Sequence, residues 1–281
     1  MANKSRDIND AVVSESLPSI RPTLEAVGQR PMSARSTLLS YLLGVPGRPV
    51  SAQHLVSVGA LFGLRSGTVR TALSRLTTAG DVESTADGYR VTGTMRDRQS
   101  QQERGLADPG GTSTGWDGTW WTALVVDESR PMAARRRFRS VMLGARMGEL
   151  RPEVWMRPAD VEPPPSLTGV ALTRGTVDGV DGRELVGRLW DIPASEITAR
   201  RLLEAIDVLG AVAAGDESVE WFAPAFEVSA ACVSFLRTEP ALPADLVETP
   251  IATDLRESYR ALNARFRTAL AEHLPPAGRV P

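Results

Sequence analysis

The sequence predicts an α+β protein built in three parts, and three observations carry the prediction. Val69, Ala72, Leu73 and Leu76 recur at the i, i+3, i+4, i+7 spacing of a buried helix face, and two short alternating runs around Asp87-Gly88 follow them. Residues 120–173 read as strand, helix, strand, strand. From about Ala194 onward the apolar spacing is helical almost throughout. At 281 residues, 42% hydrophobic and 23% charged, the chain is long enough for two or three packed domains.

Residues 1–32 mix polar residues with Pro18, Pro22 and Pro31 and show no sustained periodicity, which predicts a flexible N-terminal arm with room for a short helix. Ser33 is placed to cap a helix through about Val45, with Leu38, Leu39, Leu42 and Leu43 as its apolar stripe. Pro46-Gly47-Arg48-Pro49 ends it. Ser51 caps a second helix with Leu55, Val58, Ala60, Leu61 and Phe62, and Gly63-Leu64-Arg65 turns the chain into a third. That third helix takes Ser66 as N-cap and Gly80 as its C′ stop. Asp81–Ser84 and Tyr89–Thr92 on either side of Asp87-Gly88 read as a β-hairpin. Three helices followed by a hairpin make residues 33–95 a winged helix-turn-helix, with 66–79 as recognition helix and 81–92 as wing.

Residues 96–114 are polar and charged and read as a linker. A central domain over 115–193 then offers a strand at Trp120–Asp127, a helix at Pro131–Gly148 and strands at Glu153–Arg157 and Leu167–Thr173. Arg183–Leu189 reads either as a fourth strand or as one helical turn. This order fits a ferredoxin-like α+β domain. Residues 194–275 form a helical C-terminal domain, with helices at Glu196–Ala213, Val219–Leu236 and Asp254–His273, and 276–281 is a tail.

A net charge of −2 looks wrong for a nucleic-acid binder until it is resolved along the chain. Residues 26–80 hold six arginines (30, 35, 48, 65, 70, 75) and no carboxylate, a local +6 that leaves −8 for the rest. A basic module on an acidic body is the pattern of a protein that meets a polyanion at one place. No uninterrupted run of apolar residues approaches 18, and the first residues lack a basic-then-apolar leader, so a cytoplasmic protein without a membrane span is expected. A single cysteine, Cys232, and two histidines, His54 and His273, offer neither an internal disulfide nor a zinc site.

The face of the third helix opposite its apolar stripe carries Arg70, Thr71, Ser74 and Arg75, continued by Thr78, with no acidic group. Arginine reads guanine edges and phosphates, and hydroxyls serve either, so this face is the candidate base-reading surface. Arg65, Ser66 and Thr68 stand at the helix start, where free backbone N–H groups also favour phosphate. Arg90 on the wing and Arg35 on the first helix complete the candidate DNA contacts.

The block Leu64-Arg65-Ser66-Gly67-Thr68-Val69-Arg70-Thr71-Ala72-Leu73-Ser74-Arg75-Leu76-Thr77-Thr78-Ala79-Gly80 closely resembles the recognition-helix region of the PaaX family of phenylacetate-catabolism repressors. Further matches follow in order: Trp116-Asp117-Gly118-Thr119-Trp120-Trp121, then Leu150-Arg151-Pro152-Glu153-Val154-Trp155-Met156-Arg157-Pro158. Leu189-Trp190-Asp191-Ile192 and Phe235-Leu236-Arg237-Thr238-Glu239-Pro240 complete the series. Asp81 stands where the family usually has an aromatic residue, and Glu153 where it commonly has glycine.

The resemblance implies a homodimeric, ligand-responsive transcriptional regulator and not an enzyme. Its partners would be a palindromic double-stranded operator and a small effector, such as an aryl- or acyl-CoA thioester like phenylacetyl-CoA, or an aromatic acid. The effector site is unassigned, with Arg135, Arg136, Arg139 and Trp155 as candidates; the arginine run also reads as a solvated helix face. No cofactor, metal or catalytic residue is expected. Two other readings compete: a winged helix that binds a protein partner, and a metal-dependent nuclease centred on Asp127 at the end of the first central strand.

Overall fold

The computed structural model describes residues 19–45, 47–93, 95, 115–126, 131–160, 163–247 and 251–274. The expected linker at 96–114, the tail at 276–281 and Asp127 lie outside these residues. Helix and antiparallel sheet are both present, as the α+β reading requires.

The N-terminal unit contains α2 (Ala34–Leu43), α3 (Ala52–Leu61) and α4 (Ser66–Thr78), then β1 (Val82–Thr85) and β2 (Gly88–Val91). Ser33 and Ser51 are the caps the sequence predicts: their hydroxyl oxygens accept from Ser36 N–H at 3.1 Å and His54 N–H at 3.2 Å. Leu38, Leu42, Leu55, Val69, Leu73, Leu76, Val82 and Val91 close one apolar core. The hairpin pairs Val82 with Val91 and Thr85 with Gly88, so its two turn residues are Ala86 and Asp87, one place before the expected Asp87-Gly88. Val50 docks on this hairpin by exchanging N–H···O bonds with Tyr89 at 2.8 Å in both directions. The approach requires glycine at 88: its φ is +136°, and a Cβ there would stand 2.3 Å from the Val50 carbonyl oxygen.

The central unit contains β3 (Trp120–Val125), α5 (Met132–Gly144), β4 (Gly148–Arg151), β5 (Val154–Pro158), β6 (Val170–Gly175) and α6 (Gly182–Leu189). The sheet order is β4-β5-β3-β6, with every neighbouring pair antiparallel. The period of two splits its side chains: Trp155 and Ala123 face Phe138 and Met142 of α5, while Trp120 and Met156 face Leu185, Val186 and Leu189 of α6.

Two expectations need correction here, and one open alternative is resolved. The first helix ends at Gly144 instead of Gly148, because Arg146 takes a left-handed φ of +57° and the chain turns into β4, a strand the sequence reading lacks. The ambiguous 183–189 segment is helix α6, capped by Asp181, whose carboxylate accepts from Arg183 N–H and Glu184 N–H. That helix follows the fourth strand; the described residues between β5 and β6 form no helix. Glu153, at the family's glycine position, takes φ +72° in the turn before β5, a conformation that favours glycine.

The C-terminal unit packs α7 (Ile192–Gly210), α8 (Val219–Thr238) and α9 (Ile251–His273) around Leu202, Leu209, Trp221, Phe222, Val228, Leu236, Leu255, Leu262 and Phe266. Among the described residues α8 is the one helix long and apolar enough to cross a membrane. Trp221, Phe222, Ala225, Val228, Cys232 and Leu236 on it are the buried core of this bundle, and burial pushes the Cys232 thiol up to about 12. Of the N-terminal arm expected over 1–32, residues 1–18 lie outside the described residues, and the remainder contains the short helix the sequence allows. Arg21–Ala26 form α1, whose Leu24 is fully buried against this bundle, and Arg21 pairs with Glu227 of α8. Met32 N–H donates to the same carboxylate at 3.1 Å. Residues 20–32 therefore cross the helical body before the chain enters α2.

Phe62, at the end of α3, joins the N-terminal unit to the bundle, its ring centroid 5.0 Å from Phe226 and 6.4 Å from Phe266. Half burial of one Phe is worth about 1–2 kcal/mol. Phe62→Ala is expected to uncouple the two parts, so that calorimetry resolves two unfolding transitions in place of one. A single transition of unchanged midpoint would show that the joint carries no such energy.

Candidate nucleic-acid interface

Helix α4 presents the candidate residues because its opposite face is fully occupied. Val69, Ala72, Leu73 and Leu76 are buried, and Arg65, Ser66, Thr68, Arg70, Thr71, Ser74 and Arg75 are all exposed. At its C-terminus Gly80, at φ +73°, donates to Thr77 O at 3.0 Å while Asp81 N–H donates to Leu76 O at 3.1 Å. This is the Schellman arrangement expected of Gly80 at C′. At its N-terminus the sequence reading is off by one. Arg65 is the N-cap, with ψ of 147°, and Ser66 is the first helical residue, so no side chain caps the helix. The N–H groups of the first turn are left to outside acceptors.

Gly59 on α3 gives α4 its seat. A Cβ there would stand 2.4 Å from Val69 Cγ2, so the Val69 side chain packs directly on the α3 backbone. Nothing in the periodicity singles out this glycine, although a lone Gly inside an apolar helical run is the signal of a close backbone approach.

The electrostatics divide the predicted contacts. Among the described residues Arg65, Arg70 and Arg75 make no ion pair, and neither do Arg48, Arg135, Arg136 and Arg137. Arg35 instead pairs with Asp81, the residue that replaces the family's aromatic, and Arg90 pairs with Glu83 directly across the hairpin at 2.7 Å. Both guanidinium groups are thus shared with carboxylates, unlike Arg70 and Arg75 on α4 and Arg65 at its N-cap. The hydroxyls divide too. Thr71 donates to Gly67 O at 2.9 Å and Thr78 to Ser74 O at 3.0 Å, which leaves their oxygens as acceptors. Ser66, Thr68 and Ser74 keep their hydroxyl protons free of partners among the described residues. His54 adds no charge to this unit at neutral pH: burial lowers its pKa, and its Nε2 lies 2.7 Å from the Tyr41 hydroxyl.

The effector candidates are not assembled into a site. Trp155 is buried in the sheet, Phe138 meeting it edge-on at 6.1 Å and the Arg139 guanidinium covering its face at 5.3 Å. Arg139 also pairs with Glu149. Arg135 and Arg136 stand exposed on α5, without Trp155 or Arg139 available to complete a pocket.

An α+β protein that presents unpaired arginines and free hydroxyls on one carboxylate-free helix face is the class that fold and site define. Residues 30–95 match the family model described as PaaX-like protein, and the chain belongs to that family. Among solved structures it is similar to the uncharacterized protein Rv0674 from Mycobacterium tuberculosis. The two share 30% identity at a TM-score of 0.65, over 85% of this chain and 99% of that one. No curated protein matches the chain.

A branched side chain at position 59 has no space without displacing Val69. Gly59→Val is expected to destabilise the N-terminal unit by about 1–3 kcal/mol. Urea denaturation followed by circular dichroism reads the effect, and a midpoint equal to wild type would refute the close crossing.

Proposed function

We propose that the chain is a DNA-binding transcriptional regulator, a repressor that holds its operator through a winged helix-turn-helix formed by residues 33–95. The observation that carries this reading is the exposed, carboxylate-free face of α4, with Arg70 and Arg75 unpaired beside Thr71 and Ser74. Membership of the PaaX-like family supports it. In this reading Arg70 and Arg75 reach base edges or flanking phosphates, and Arg65, Ser66 and Thr68 anchor the helix start on the backbone. Arg35 and Arg90 act mainly to hold α2 and the hairpin in place through Asp81 and Glu83.

The proposed assembly is a cytoplasmic homodimer, because two-fold related recognition helices suit an inverted repeat. In this reading the central unit, with sheet order β4-β5-β3-β6, serves as the ferredoxin-like domain and the α7–α9 bundle as the helical C-terminal domain. These parts would receive a small effector, an acyl-CoA or an aromatic acid in the sense of the resemblance. Release follows only if the effector binds the DNA-free conformation more tightly. No enzymatic step belongs to this reading.

Fluorescence-anisotropy titration onto the DNA upstream of its own gene tests the proposal. Arg70→Ala and Arg75→Ala are each expected to cost about 1–3 kcal/mol, roughly ten- to a hundred-fold in affinity. Arg65→Ala should lower the salt dependence of binding by about one counterion. Arg35→Ala should leave affinity nearly unchanged. Equal binding by wild type and the Arg70 and Arg75 variants would sink the assignment of α4.

A further inference from the structure

The central unit carries a second presentation of positive charge. Residues 131–148 hold five arginines and no carboxylate, although everything outside residues 26–80 sums to a formal −8. Two of the five have structural duties. Arg139 pairs with Glu149 and covers Trp155, and buried Arg146 donates to Leu236 O at 3.3 Å. Arg135, Arg136 and Arg137 stand exposed on α5 and make no ion pair or hydrogen bond among the described residues. Helices α6 and α7 give exposed arginines a carboxylate at i,i+4 spacing, in Glu184–Arg188 and Glu196–Arg200, whereas α5 has no carboxylate to give.

Helix geometry sorts what this face can bind. Phe138 and Met142 turn one side of α5 to the sheet. At about 100° per residue, Arg136 then stands near the outer crest, with Arg135 and Arg137 on the two flanks. Exposed Met132 and Ser140 share the crest. Consecutive residues on a helix do not face each other, so the three guanidinium groups diverge instead of closing on one small anion. A divergent set suits a row of phosphates along a duplex.

The placement of α5 brings it within reach of the DNA that α4 would read. Both α5 and α3 rest on α8. Arg146, two residues beyond α5, is held to Leu236, and Phe226, ten residues earlier on α8, receives Phe62 of α3. Ten residues span about 15 Å, less than half of one ~34 Å turn of duplex.

We propose that Arg135, Arg136 and Arg137 form a second DNA contact, which grips backbone phosphates flanking the site read by α4. It adds affinity and salt dependence but no base preference, because phosphates carry no sequence. The contact rests on the DNA-binding reading above.

Fluorescence anisotropy with the full chain tests it on two duplexes of equal length, the DNA upstream of its own gene and a scrambled sequence. The variant with Arg135→Gln, Arg136→Gln and Arg137→Gln together is expected to weaken binding of both duplexes by about tenfold or more. The slope of log affinity on log salt should fall by about two to three, with the affinity ratio of the two duplexes unchanged. Lysine at the same three positions should restore the slope, since a phosphate accepts either cation. A control with Arg188→Gln, Arg200→Gln and Arg260→Gln removes the same charge from other exposed positions and should keep the wild-type slope.

An unchanged slope in the α5 glutamine variant, a changed duplex ratio in it, or an equal loss in the control would each overturn the α5 contact. The regulator would still stand if Arg70→Ala narrows the duplex ratio. Failure of the wild type to bind either duplex would overturn both.

Discussion

The contact between Phe62 and the helical body decides where α4 points. Phe62 closes α3 and enters the aromatic cluster of Phe226, Phe266, Trp221 and Phe222, whose rings meet at 5.0–6.4 Å. Aromatic pairs at such separations add directional preference to apolar burial. Three residues before Phe62, Gly59 seats Val69 of α4 without an intervening side chain. The presented helix is thus tied to the bundle through a short rigid path. The α1 segment adds a second tie through Leu24 and the Arg21–Glu227 pair.

Charge placement follows the same division between presented and structural groups. Exposed ion pairs such as Arg90–Glu83 and Arg188–Glu184 are worth little in stability, but they occupy cations that would otherwise compete for a polyanion. The arginines of α4 are spared this.

Inside the body the pattern reverses. Arg157 is buried in the sheet, where desolvation lowers its pKa to about 10. Its Nη1 donates to Ala145 O at 2.9 Å, and its Nη2 stands 3.7 Å from Asp160, an ion-pair distance too long for a hydrogen bond. Burial in turn raises the Asp160 pKa. Arg146 donates to Leu236 O at 3.3 Å, so that a sheet-edge turn is held to the end of α8. Buried guanidinium groups of this kind are weak sources of stability, yet they satisfy carbonyls that a turn exposes to the interior.

Local signals were readable where they were also local in cause. The stripe of Val69, Ala72, Leu73 and Leu76, the Ser33 and Ser51 caps and the Gly80 stop each act within one or two turns, and each is found in place. Signals that depend on partners were not readable. Short β4 forms because β5 offers it an edge; Arg183–Leu189 becomes helical because Asp181 caps it and the sheet receives its apolar side. Leu24 looked like part of a polar arm until the bundle supplied a surface for it. At the candidate interface every α4 residue the sequence singles out is exposed, but the sequence could not tell paired arginines from free ones. Arg35 meets Asp81 from 46 positions away.

By itself, the sequence determined the α+β class, the amphipathic α4 and the excess of positive charge over residues 26–80, because periodicity and composition are properties of a segment. Only the tertiary structure decided which arginines stay unpaired, where Phe62 docks, and that Glu239 and Arg256 form a buried ion pair. Those outcomes depend on distances between residues far apart in the chain, and such distances exist only once packing has closed the cores.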